Sequence, residues 1–192
     1  FFLKSIIEEE SSWDPTHIQC SGAVGIAQIM PHTAVEDPGM KKILSKSNIK
    51  DPINGVEYCT AAYKAANSGR CPTCLGAGND NPYAAELKVA VSTIAVSDLA
   101  IFDDRFNETK SIEALAAYFQ VSKNSLNTAG LPITVENLAA TYQAGRGIIS
   151  QIKSNGGNIP AGTNAYGYSI LVRKYYDILV KKVGPWKIKS NF

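Results

Sequence analysis

Three consecutive glutamates, Glu8-Glu9-Glu10, close an apolar stretch in which Phe2, Leu3, Ile6 and Ile7 recur at helical spacing. On a helix turning by about 100° per residue, those four side chains centre on one face, with Glu10 in the middle of it. Glu9 falls near the edge of that face and Glu8 on the opposite side. The pattern therefore sends one carboxyl of the three into apolar surroundings. Burial raises a carboxyl pKa, and a general acid working near neutral pH needs a raised pKa. Glu10 is the candidate catalytic residue.

The helix meets Trp13-Asp14-Pro15, where the residue before proline avoids helical torsions. Residues 16–25 read as a loop, with Gly22 and Gly25 as points of tight turning or close backbone approach. Ile26, Ala27, Ile29 and Met30 resume a helical apolar pattern that Pro31 interrupts, and residues 36–50 read as a lysine-rich surface helix. Asp51-Pro52 opens a further helix to about Asn67. Residues 68–82 are Gly, Pro, Asn and Cys punctuation, a loop. Helical pattern returns over 82–101, 111–120, 134–142 and 165–183, with a turn at Ala129–Pro132 and breaks at Gly145, Gly147, Gly156-Gly157 and Pro160–Gly162. No strand signal is strong, so the fold class is mainly α.

A chain of 192 residues suits one domain with a proper core. With 45% hydrophobic and 19% charged residues it reads as globular, and a net charge of +2 argues against nucleic acid. No run approaches the ~18 apolar residues of a membrane span. The chain begins inside the Glu10 helix, without initiator Met or signal peptide, and so reads as a mature or excised module of something longer.

Four cysteines, Cys20, Cys59, Cys71 and Cys74, permit two disulfides in three connectivities, and spacing does not choose among them. A zinc site built on Cys71-Pro72-Thr73-Cys74 with Cys20 and Cys59 is an alternative, and free buried thiols are a third. Only His17 and His32 are available, which disfavours a histidine metal site. No metal or cofactor is expected.

The block Glu10-Ser11-x-Trp13-Asp14-Pro15, followed without gaps by Gly22-Ala23-x-Gly25-Ile26-x-Gln28-Ile29-Met30-Pro31-x-Thr33-Ala34, resembles the soluble lytic transglycosylase family. Ala139–Gly147 resembles that family's Ala-Ala-Tyr-Asn-Ala-Gly-Pro-Gly block. Tyr168, Val172 and Tyr176 fit its closing helix, and Asp51-Pro52, Gly55 and Tyr58 its intermediate one. The resemblance implies a lysozyme-like single domain, with residues about 68–130 as an atypical helical, cysteine-bearing insertion. It implies cleavage of the β-1,4 bond from N-acetylmuramic acid to N-acetylglucosamine in peptidoglycan glycan strands, outside the cytoplasm. Glu10 would be the sole acid and base, forming a 1,6-anhydro sugar. Ser11, Gln28, Met30, Tyr142, Gln143 and Tyr168 would bind or position substrate. An oxidising compartment would favour disulfides over metal.

The sequence departs from that pattern at Ala27, Gln143 and Arg146, where the family has Met, Asn and Pro, and in its first loop at His17 and Gln19. Ala116-Ala117-Tyr118-Phe119 is a rival for the third block but lacks the following Ala-Gly. Two other functions compete. A goose-type-like muramidase would need a second carboxylate, with Asp14, Glu36 and Asp37 nearest in sequence; a glycan-binding assembly module would have kept the groove without turnover. The resemblance is compatible with service in wall remodelling, a secretion apparatus or a phage particle, all of which employ such domains.

Overall fold

Apolar stripes and glycine breaks organise the chain into helices, seen in a computed structural model that describes residues 1–45, 74 and 79–183, less the side chains of Val35, Ala90, Phe102 and Val183. In order these are α1 (Phe2–Ser11), α2 (Pro31–Glu36), α3 (Pro82–Thr93), α4 (Val96–Phe102), α5 (Glu108–Thr128), α6 (Val135–Ala144), α7 (Ile148–Ser154) and α8 (Asn164–Val183). Short 3-10 turns occupy Met40–Lys42 and Asp104–Phe106. The mainly α class holds, with no strand among the described residues. None of the described helices is long and apolar enough to cross a membrane. The expected helix at 51–67 lies outside the described residues, as do Cys59 and Cys71.

Two compact units form. One comprises Phe1–Glu9 with the described residues from Phe119 onward; the other comprises Glu10–Tyr118. In the first, α6 and α8 pack side by side. Ala139 and Ala140 are fully buried on α6, and Ser169 and Val172 on α8, since small side chains allow close approach. Ala140, Ile148, Ile152 and Ala165 make a core against which Leu131 and Ile159 pack. Thr134 caps α6 by accepting the Asn137 N–H at 3.0 Å. Gly145, at φ 73°, stops it. α7 was not foreseen from the sequence: its apolar residues, Ile148 and Ile152, are one turn apart and too few to show a period.

The second unit is built on Ile18, Val24, Tyr83, Ala84, Leu87, Leu99 and Phe106, with Met30, Val91, Ile94, Val96 and Ala100 packed against them. The supposed insertion thus supplies most of the core beneath the Gly22–Met30 segment. A disulfide, Cys20–Cys74, fastens the two regions together. It takes two of the four thiols out of any metal site. Asn81 adds a second tie, its N–H donating to the Cys20 carbonyl at 2.9 Å and its side-chain amide to the Ser21 carbonyl at 3.1 Å.

Four expectations need correction. Residues 26–30 are not helical: Val24 pairs with both Ile18 and Ile29 in isolated antiparallel bridges, and the chain turns between them. All residues from Gly22 to Ile29 are buried, so their apolar character reflects enclosure on every side and not one helical face. Pro31 starts a helix where the pattern suggested an interruption, because a first-turn proline lacks only an N–H that the helix does not use. Over 36–45 the polar surface helix is replaced by the end of α2 and a 3-10 turn that buries Met40, with Leu44 also buried. The pattern over 82–101 divides at Ile94-Ala95 into α3 and α4.

Candidate active site

Glu10 stands in the last turn of α1, next to its final residue. All three glutamates are half-buried, so burial does not select Glu10 and Glu8 does not face open solvent. The reason is that α1 is enclosed beyond its predicted stripe, with Ser5 as fully buried as Ile6. Burial holds the Glu9 carboxyl above the ordinary carboxylate range.

Beyond Ser11 the backbone turns sharply. Ser12 and Trp13 adopt φ of 51° and 69°, a left-handed region that non-glycine residues rarely enter, and strain of this kind gathers at functional sites. The Ser11 N–H-to-C=O pattern ends with the Asp14 N–H donating to the Ser11 carbonyl at 3.1 Å. Asp14 then accepts from the Thr16 N–H at 2.8 Å and the Thr16 hydroxyl at 2.6 Å. The Thr16 hydroxyl is the main reason its carboxyl sits below the ordinary range.

The two halves of the motif join through Ser11, whose buried hydroxyl donates to the Ile26 carbonyl at 2.8 Å. Gln28 also has a left-handed φ, 50°. Its side chain is 6% exposed, and its Nε2 donates to the Gly25 carbonyl at 2.7 Å and the His17 carbonyl at 2.9 Å. Two carbonyl acceptors fix the amide orientation, since a flip would set oxygen against oxygen. The Oε1 atom is left buried with no hydrogen-bond partner. Met30 is half-buried against the second unit's core.

Tyr142 and Gln143 lie on α6 and Tyr168 on α8, in the other unit. Tyr142 is half-buried, with the Phe119 ring centroid 5.5 Å from its own, and Phe119 meets Phe2 edge-on at 4.7 Å. Gln143 is exposed and Tyr168 half-buried. Tyr118, of the rival block, is 4% exposed.

Sequence reasoning missed Arg105. Its side chain is 0% exposed and forks onto Asp103, with Nη2 2.6 Å from Oδ2 and Nε 3.0 Å from Oδ1. Nη2 also donates to the Tyr83 hydroxyl at 2.7 Å, and Nη1 to the Ile29 carbonyl at 3.1 Å. Burial opposes its charge, and Asp103 and Tyr83 more than offset that, so the guanidinium stays ionised. An Asp-Asp-Arg run in a polar-looking loop gave no sign of this; a fully buried Arg shows only in three dimensions.

Residues 1–71 match the transglycosylase SLT domain family. The resemblance read from the motif is correct. The matched residues hold Glu10, Ser11, Gln28 and Met30, and end before Tyr142, Gln143 and Tyr168. They tie this segment to peptidoglycan cleavage of the transglycosylase and lysozyme kind. No curated protein and no solved structure matches the chain. Among the described residues, no group of three His, Cys, Asp or Glu side chains could hold a metal ion.

Proposed function

We propose that this protein is a peptidoglycan lytic transglycosylase that uses Glu10 as its single general acid and base. The carrying observation is the 2.8 Å bond from Ser11 to the Ile26 carbonyl, which makes one local structure of the two family blocks beside Glu10. In this reading the Glu10 carboxyl gives its proton to the glycosidic oxygen as the bond from that oxygen to muramic acid C1 breaks. The C6 hydroxyl oxygen bonds to C1, and its proton returns to the Glu10 carboxylate. No water is consumed, and a second carboxylate is not needed, unlike in most glycoside hydrolases. The unpaired Gln28 Oε1 suits an N–H or O–H donor of the sugar, because a buried acceptor gains most from a partner. The family resemblance offers Tyr142, Gln143 and Tyr168 as further substrate-binding candidates, and we read residues 1–192 as one catalytic domain in an extracytoplasmic setting.

Two of the three carboxylates a muramidase would draw on hold loops in place. Asp14 binds Thr16, and Asp37 accepts the Gly39 and Met40 N–H groups at 2.8 and 3.0 Å. Digestion of sacculi followed by mass spectrometry tests the reading. Anhydro-muramic ends are expected; new reducing ends would make the protein a hydrolase, and binding without either product would make it a glycan-binding module.

A further inference from the structure

Gln28 matters to the proposed site only if its amide is held still, and the residues that hold it are the Gly25 and His17 carbonyls. The segment Gly25–Ile29 is in turn set at both ends by one residue. At one end Gly25, φ 74°, lies so close to the Arg105 main chain that a Cβ there would overlap the Arg105 carbonyl oxygen and stand 3.3 Å from its carbon. At the other, the Arg105 guanidinium holds the Ile29 carbonyl. Arg105 is itself immobilised on three sides: by Asp103, by the Tyr83 hydroxyl, and by Ser111, whose hydroxyl donates to the Arg105 carbonyl at 2.8 Å.

We propose that Arg105 is a positioning residue, a clamp that spans Gly25 to Ile29 and thereby fixes the Gln28 amide for substrate. It lies beyond the residues that match the SLT family, within the expected insertion at about 68–130. The function of that segment is to brace the motif from below. Arg suits the task because its planar fork satisfies Asp103 bidentately and still leaves Nη1 to reach Ile29. A lysine retains the charge opposite Asp103 but cannot span Asp103, Tyr83 and the Ile29 carbonyl together.

The inference depends on the transglycosylase reading only for its enzymatic readout. Arg105→Lys in the full chain should lower kcat/KM on peptidoglycan by about 10- to 100-fold, the loss that a displacement of up to about 1 Å brings. In a Gln28→Ala background the same change should cost less than about twofold, because the group being positioned has gone. A merely structural residue would give the same loss in both backgrounds, and that result would overturn the proposal. Independently of activity, the Gln28 side-chain amide resonances should shift in Arg105→Lys; unmoved resonances in a folded variant would also overturn it. Should Arg105→Lys not fold, Tyr83→Phe removes one anchor of Nη2 and should move the same resonances, and unmoved resonances in that variant would overturn the proposal. A wild-type protein inactive on peptidoglycan would refute the functional reading and leave the resonance test to decide the clamp.

Discussion

Gly25→Ala tests the packing of the motif against Arg105 directly. Two costs arise at this position and the structure separates them. The first is conformational: φ is 74°, and a left-handed alanine costs roughly 1–2 kcal/mol, less the ~0.5 kcal/mol by which alanine restricts the unfolded chain. The second is steric, because the added methyl overlaps a carbonyl oxygen that is main chain and cannot rotate away. Overpacking of this sort costs about 1–3 kcal/mol. Gly130 supplies the control, with φ 72° and nothing within 4 Å of a Cβ. Gly130→Ala should therefore lose about 1 kcal/mol and Gly25→Ala about 2–4 kcal/mol, or ~2–4 °C against ~4–16 °C in Tm for a chain of this size. Urea titration followed by circular dichroism, with thermal melts alongside, measures both. Losses equal within about 0.5 kcal/mol would show that the Arg105 carbonyl does not press on Gly25, and would refute the reasoning.

Among the glutamates, Glu10→Gln should lower turnover by about 10²–10⁴-fold in a lysis assay while Glu9→Gln remains active; the reverse would move the acid to Glu9. The Glu9 pKa is raised above 4.5 in the folded state, so its favourable contribution exists at low pH and is lost as pH rises through the raised value. Glu9→Gln should then raise Tm at pH 7, with the gain vanishing below about pH 4. The opposite sign holds for Asp14, whose folded pKa lies below 3.8: it stabilises above that value and the benefit disappears as pH falls through the folded pKa. Asp14→Asn should lower Tm at pH 7, with the difference shrinking as pH falls through the lowered folded-state pKa. Removing the Cys20–Cys74 bond by Cys74→Ser releases a loop of 54 residues, worth about 4 kcal/mol in chain entropy, and a denaturation midpoint unchanged by the substitution or by reductant would contradict that.

The sequence determined the parts of this protein whose signals are local. The block from Glu10 to Pro31 is legible as a family motif because its residue types stand at fixed spacing, and the SLT match covers it. α6 and α8 are legible because each has one buried face, and Gly145 stops α6. The tertiary structure alone decided what surrounds the motif on every side. Residues 26–30 mimic a helix because short runs enclosed all round have no informative period, and the choice fell to Val24 pairing with Ile18 and Ile29. The partner of Cys20 was likewise undetermined, since nothing in the spacing of four thiols says which two will meet. Arg105 is the extreme case: charged residues read as surface until a carboxylate, a phenol and a carbonyl from three separate segments converge on one guanidinium. Such convergence is a property of the folded chain, because a buried charge is tolerable only where its partners are already assembled around it.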